Sequence, residues 1–154
     1  MRSLQGREMS STEDLWLRMT RVLPAPRDRV WRALTEPEEL AEWWGPKGFT
    51  CPTVEWEPRV GESYRIAMQP PEGELFHLNG QFEEVDEPNR LAFTFVWDPA
   101  TPDDRETLAT LALEERGAGT ELQFTQGGFA TEERRALHDG GWTDSFEQLD
   151  ALLG

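Results

Sequence analysis

The period of the hydrophobic pattern changes for the last time at the glycine pair Gly127-Gly128. From Thr53 to this pair, apolar and polar residues alternate with period two in short stretches separated by turn residues, a pattern typical of β-strands. After it, a single apolar stripe recurs at helical spacing. A sheet followed by one helix with one apolar face must wrap that helix, so the pattern predicts an α+β domain with a curved antiparallel sheet. The stripe consists of Trp142, Phe146, Leu149 and Leu153.

The predicted strands are short and the links between them are tight, which permits only antiparallel neighbours. The first strand is followed by two short helices that Pro37 separates, because the proline ring cannot continue a helix. The long C-terminal helix is predicted to begin after Thr131 as N-cap. Strands are expected at 15–23, 53–57, 63–68, 75–85, 91–97, 107–115 and 120–126, and helices at 27–35, 38–44 and 132–153.

Two glycines, Gly140 and Gly141, lie inside the predicted C-terminal helix. Each costs about 1 kcal/mol relative to alanine in a helix interior. The pair therefore indicates a bend, or a place where another group packs close to the backbone.

The length of 154 residues suits one domain with a single core. Residues 1–12 are polar, mix both charge signs and show no period, so they are expected to form a flexible tail before a domain at 13–154. No signal-peptide h-region and no run of about 18 apolar residues is present, and a cytoplasmic protein is expected. The lone Cys51 excludes an internal disulfide, and a buried or inert thiol is expected.

The net charge and the aromatic content limit the kinds of partner that this chain is expected to bind. The net charge of −15 would repel phosphate backbones and anionic lipid headgroups, so neither nucleic acid nor a membrane surface is expected as a partner. Seven Trp and eight Phe stand against one Tyr. Large rings without a hydroxyl favour a core or a cavity wall over a wet interface.

The chain lacks the residue patterns that several kinds of functional site require. The two histidines and one cysteine show none of the spacings of a zinc site, so no metal is expected. Neither a G-x-S-x-G turn nor a glycine-rich phosphate loop is present. No cofactor and no catalytic triad are therefore predicted.

Five stretches of the sequence, by their order and spacing over about residues 15–153, resemble those of a known protein family. They are RVLPAPRDRVWRALTEPEELAEWWGP at 21–46, EWEPRVGESYRI at 55–66, GQFEEVDEPNRLAFTF at 80–95, GTELQFTQGGF at 119–129 and HDGGWTDSFEQLDALL at 138–153. With them the chain resembles the activator of heat-shock-protein-90 ATPase homologue family, a branch of the START-like (SRPBCC) superfamily with the helix-grip fold. The chain departs from the family pattern at Glu62, where a second glycine is usual, and at Phe82, where a tyrosine is usual.

The resemblance implies a cavity between the sheet and the C-terminal helix that holds a small apolar or aromatic molecule. Trp43 and Trp44 are expected at its entrance, and His77 and Tyr64 are its expected polar groups. Simple core packing is the alternative for the aromatic residues, since protein interiors are close-packed by default. His138, beside Asp139, is predicted to be exposed. The candidate lining residues are Trp43, Trp44, Trp56, Tyr64, His77, Phe82, Phe93, Phe95, Trp97, Trp142 and Phe146.

Two other functions stay open at this stage. A cyclase or dehydratase in the same cavity would need an inward acid and base, for which His77, Tyr64 and Glu84 are the candidates. A co-chaperone or stress-response interaction protein is suggested by the family name, with a chaperone as partner. Exposed strand edges would also permit a homodimer.

Overall fold

The computed structural model describes residues 15–154. The predicted tail at 1–12 and the first two residues of the predicted domain lie outside the described residues. The helices are α1 (Arg27–Thr35), α2 (Pro37–Trp43) and α3 (Glu132–Leu153), and the strands are β1 (Leu17–Leu23), β2 (Thr50–Glu55), β3 (Ser63–Gln69), β4 (Phe76–Asp86), β5 (Arg90–Asp98), β6 (Thr107–Arg116) and β7 (Gly119–Gly127).

The seven strands form one antiparallel sheet in the order β1-β7-β6-β5-β4-β3-β2. From β2 to β7 each strand pairs with its neighbour in sequence, as short links require. The first strand pairs with the last, so α1 and α2 connect the two edges of the sheet. The predicted α+β class, the strand count and the two short helices are confirmed.

The long helix α3 begins where the sequence predicts. The hydroxyl oxygen of Thr131 accepts a hydrogen bond from the backbone N–H of Arg134 at 3.1 Å, which satisfies one free donor of the first turn. Glu132 and Glu133 place negative charge at the positive end of the helix.

The glycine pair does not interrupt α3. A Cβ atom at Gly140 would meet nothing within 4 Å, and one at Gly141 would lie 3.9 Å from Cγ of Pro46, an ordinary contact. Neither glycine is therefore required by a close neighbour, in contrast to one of the two sequence-based interpretations.

The predicted stripe of α3 packs on the inner face of the sheet. Trp142, Phe146 and Leu149 are buried, and the rings of Trp142 and Phe146 lie 4.4 and 5.3 Å from that of Phe124 in β7, measured between centroids. Full burial of a large apolar side chain contributes about 1.5–3 kcal/mol. These contacts hold α3 against the inner face of the sheet.

The connection between α2 and β2 is tied to α3 by hydrogen bonds. The hydroxyl of Ser145 accepts the backbone N–H of Gly45 at 2.9 Å, and Nε2 of Gln148 donates to the carbonyl oxygens of Trp43 and Gly45 at 3.1 and 2.8 Å. Gly45 has a φ of +103°, a conformation that side chains rarely adopt. This arrangement fixes the backbone on both sides of Trp44.

Candidate ligand-binding cavity

A cavity of about 300 Å³ lies between the inner face of the sheet and α3. The connection after α2 borders it on one side, and the loop between β5 and β6 borders it on another. Leu137, whose side chain is 60% exposed, marks the rim. The apolar wall consists of Trp44, Pro46, Phe49, Met68, Phe76, Phe95, Trp97, Pro99, Leu137 and Trp142.

The aromatic rings of the wall support one another edge to face. Trp97 packs against Phe95 and Phe76 with centroid distances of 5.0 and 5.3 Å, and Trp44 packs against Trp142 at 5.0 Å. Such arrangements of aromatic rings are favourable beyond the area they bury. Because the rings come from β4, β5, α3 and the α2–β2 connection, the shape of the wall depends on the whole fold.

His138 is the buried histidine of the wall. Its side chain is 7% exposed and faces the rings of Phe95 and Phe129, with centroid distances of 5.2 and 4.8 Å. The Nε1–H group of Trp97 donates a hydrogen bond to its Nε2 at 3.1 Å. The prediction that His138 is exposed is wrong, because its position one turn before Trp142 puts it on the buried face of α3.

Burial lowers the pKa of His138 from its ordinary value of 6.5 to about 4, since a charged ring would lose its hydration. The carboxylate of Asp104 acts in the opposite direction, and the guanidinium of Arg134 lowers the pKa further. At neutral pH the ring is therefore uncharged. It is an uncharged hydrogen-bonding group in a mostly apolar wall.

The charged side chains at the rim are bonded to one another. Arg134 donates to the hydroxyl of Thr101 at 2.7 Å and lies 3.5 Å from the carboxylate of Asp104. That carboxylate also accepts the backbone N–H of Thr101 at 2.8 Å. These bonds fasten the β5–β6 loop to the first turn of α3, so the loop covers one end of the cavity.

Comparison with known proteins places this architecture in a family. The family profile described as activator of Hsp90 ATPase homolog 1-like protein matches residues 24–154. The chain belongs to this family. No curated protein matches the chain.

Solved structures with the same fold include members from several bacteria. Protein CV1439 from Chromobacterium violaceum is 32% identical, with a TM-score of 0.80, and the match covers 91% of this chain and 97% of that one. Protein NE0264 from Nitrosomonas europaea is also 32% identical, with a TM-score of 0.77 and coverage of 91% and 94%. The AHSA1 protein SPO3351 from Silicibacter pomeroyi is 26% identical, with a TM-score of 0.79 and coverage of 90% and 96%. The predicted helix-grip fold is confirmed.

In this member of the Hsp90-ATPase-activator-like family, four of the eleven residues proposed from the sequence line the cavity: Trp44, Phe95, Trp97 and Trp142. Trp43 lies in the core instead of at the entrance. Its Nε1–H donates to the carbonyl of Ala33 at 2.9 Å, and its ring stacks on Phe146, with centroids 6.3 Å apart. Neither Trp43 nor Phe146 borders the cavity.

Four other proposed residues form a packed cluster away from the cavity. Trp56 contacts the rings of Tyr64 and Phe82 at centroid distances of 4.8 Å and that of Phe93 at 5.2 Å. All four are at most 2% exposed. For these rings the structure corresponds to the alternative of simple core packing.

The hydroxyl of Tyr64 is used inside the sheet. It donates to the carbonyl of Thr94 at 2.6 Å, where the ladder between β4 and β5 is interrupted. Burial raises the pKa of this hydroxyl well above its ordinary value. A Cβ atom at Gly80 would collide with the Thr94 carbonyl and lie 2.6 Å from the Tyr64 ring, so the arrangement requires glycine there.

His77 lies on the outer face of the sheet. Its register partners are Ala67 and Asp98, whereas its neighbour Phe76 points inward and borders the cavity. Successive side chains of a strand face opposite sides. His77 therefore does not line the cavity.

Cys51 lies beside the cavity wall, and its thiol is within 3.7 Å of the carbonyl oxygen of Trp44. Burial raises the pKa of this thiol to about 11. The thiol is therefore protonated at neutral pH, the form that is the weaker nucleophile.

No helix within residues 15–154 has the length and apolar character needed to cross a membrane.

Proposed function

We propose that this protein binds a small apolar or aromatic molecule in the cavity between the sheet and α3. The observation that supports it most directly is the aromatic wall around about 300 Å³ of space. Ligand sites are typically concave and mostly apolar, with a few polar groups that fix orientation. Here the neutral side chain of His138 has that role.

The size of the cavity limits the ligand. A cavity of roughly 150 Å³ lined by apolar side chains binds benzene. The cavity here is about 300 Å³, which accommodates a flat molecule of about two fused rings. Larger lipids would have to extend past Leu137 into solvent.

The protonation state of His138 favours binding over acid–base catalysis. A general base works best when its pKa lies near the working pH. With a pKa of about 4, His138 is a weak base at neutral pH. The residues considered for a cyclase or dehydratase lie elsewhere, since Glu84 is paired with Arg90 at 2.8 Å and neither His77 nor Tyr64 borders the cavity.

The two glycines of α3 provide a matched test. Gly141 borders the cavity, whereas Gly140 does not. Replacing either by leucine removes a helix-destabilising glycine, a gain of up to about 1 kcal/mol. We expect Gly141→Leu to weaken the binding of naphthalene by about tenfold or more, since the new side chain occupies the site, and Gly140→Leu to leave it unchanged.

Quenching of Trp fluorescence by naphthalene measures this binding, because three tryptophans, Trp44, Trp97 and Trp142, line the cavity. Equal affinity in the two variants would place the bound ring outside the cavity. Failure of the unmodified protein to bind naphthalene or any similar bicyclic molecule would contradict the proposed function.

A further inference from the structure

We propose that the cavity selects neutral molecules that carry a hydrogen-bond acceptor, such as an aryl ketone, and that the Nδ1–H group of His138 is the donor. This inference rests on the proposed function and names the class of ligand. Its basis is the tautomer of His138 and the pairing of the charges at the rim.

The contact with Trp97 sets the tautomer of His138. An indole N–H can only donate, so Nε2 of His138 must be the acceptor in the 3.1 Å hydrogen bond between them. In a neutral imidazole the proton then lies on Nδ1. The hydrogen bond from the indole of Trp97, itself part of the wall, therefore makes Nδ1–H of His138 a hydrogen-bond donor.

Nδ1 of His138 has no acceptor among residues 15–154. Within that range, Nε of Arg27 is the one fully buried side-chain nitrogen or oxygen without a partner. Nδ1 is therefore not fully enclosed by protein atoms, although the residue is only 7% exposed. His138 borders two spaces, the cavity and a smaller one under the β5–β6 loop, and we place the Nδ1–H donor at the cavity.

A donor in an aromatic wall distinguishes between ligands of equal shape. A ligand with a carbonyl oxygen satisfies Nδ1–H, whereas a hydrocarbon of the same shape displaces water and leaves the donor unpaired. Sites built around a buried polar group reject analogues that lack its partner more strongly than they reject a change of size.

The charges at the rim disfavour an anionic ligand. Arg134 is the cation of the wall, and it is engaged by the Asp104 carboxylate and the Thr101 hydroxyl. A carboxylate ligand would approach Asp104 without a free counter-ion, in a protein with a net charge of −15. A neutral acceptor meets no such cost.

Three probes of one size test this inference: 2-acetylnaphthalene, its alkene isostere 2-isopropenylnaphthalene, and 2-naphthoate. We expect the ketone to bind the unmodified protein about tenfold more tightly than the alkene, and the naphthoate to bind most weakly. His138→Phe should reduce ketone affinity to that of the alkene while alkene affinity changes less than about twofold. His138→Gln, which can both accept from Trp97 and donate, should retain part of the preference.

The outcomes separate the two proposals. Equal affinity of the unmodified protein for ketone and alkene would overturn the inference and leave the proposed function intact. Tightest binding of the naphthoate would also overturn it. If none of the three probes binds, both proposals fail together. Because the comparison of probes uses the unmodified protein, it remains decisive even if His138→Phe does not fold.

Discussion

Replacing Trp142 by alanine should lower the free energy of unfolding by about 3–5 kcal/mol, the range for removing a large buried aromatic side chain. The indole ring is 5% exposed and packs against Phe124, Trp44 and Phe146, with centroid distances of 4.4, 5.0 and 5.4 Å. It joins α3 to β7 and to the α2–β2 connection at once. Its loss would also open the cavity wall, so binding of naphthalene should weaken in the same variant.

Part of this loss comes from a hydrogen bond. Nε1–H of Trp142 donates to Oε1 of Gln126 at 2.7 Å, and Gln126 is fully buried. Trp142→Phe keeps an aromatic ring and leaves that amide oxygen without a partner. We expect this variant to lose about 1–3 kcal/mol, the usual cost of an unsatisfied buried polar group.

Leu137→Ala is the matched control, because Leu137 lies on the same helix and also borders the cavity but is 60% exposed. Its stability should change by no more than about 0.5 kcal/mol. Urea unfolding followed by circular dichroism measures all three variants without relying on tryptophan fluorescence. A loss of less than about 1 kcal/mol for Trp142→Ala would contradict the close packing of α3 on the sheet.

The fold could be predicted from the sequence because its signals are local. Strand alternation, turn residues and the stripe of α3 each depend on neighbours within a few positions. Thr131 shows this well: its hydroxyl caps the helix at the position the sequence predicts. The boundaries of β2 were less well predicted, at 53–57 against Thr50–Glu55, because this edge strand pairs irregularly with β3.

The cavity could not be located in the same way, since core and cavity residues follow the same alternation. Phe93 and Phe95 both point inward from β5, two positions apart. Phe93 is fully enclosed by Trp56, Tyr64 and other rings, whereas Phe95 borders the cavity. The two residues differ in how deeply the assembled sheet encloses them. The spacing of residues in the sequence does not determine this depth.

His138 was missed for a different reason, since a signal for it exists. The stripe that begins at Trp142 continues one turn earlier to His138, four positions before it. A histidine next to Asp139 on a helix with many charges suggests a solvated residue. In the structure the helical phase decides its environment, and the rings of Phe95 and Phe129 enclose it.

The buried position of His138 makes the stability of the protein depend on pH. Its pKa is lowered to about 4 in the folded state, against 6.5 as its ordinary value. Between these values the unfolded chain binds the proton more readily than the folded protein does, so stability rises with pH in this window. The contribution is complete above pH 6.5 and is lost as the pH falls toward 4. A difference of about 2.5 in pKa corresponds to about 3 kcal/mol.

His138→Gln isolates this effect, because glutamine can accept the N–H of Trp97 and does not titrate. The many carboxylates of the chain, Asp104 included, are present in both proteins and largely cancel in the comparison. Between pH 7 and pH 4.5, the free energy of unfolding of the unmodified protein should fall by about 2 kcal/mol more than that of the variant. Parallel loss in the two proteins would mean that His138 accepts a proton as easily folded as unfolded, and would contradict the lowered pKa that its burial implies.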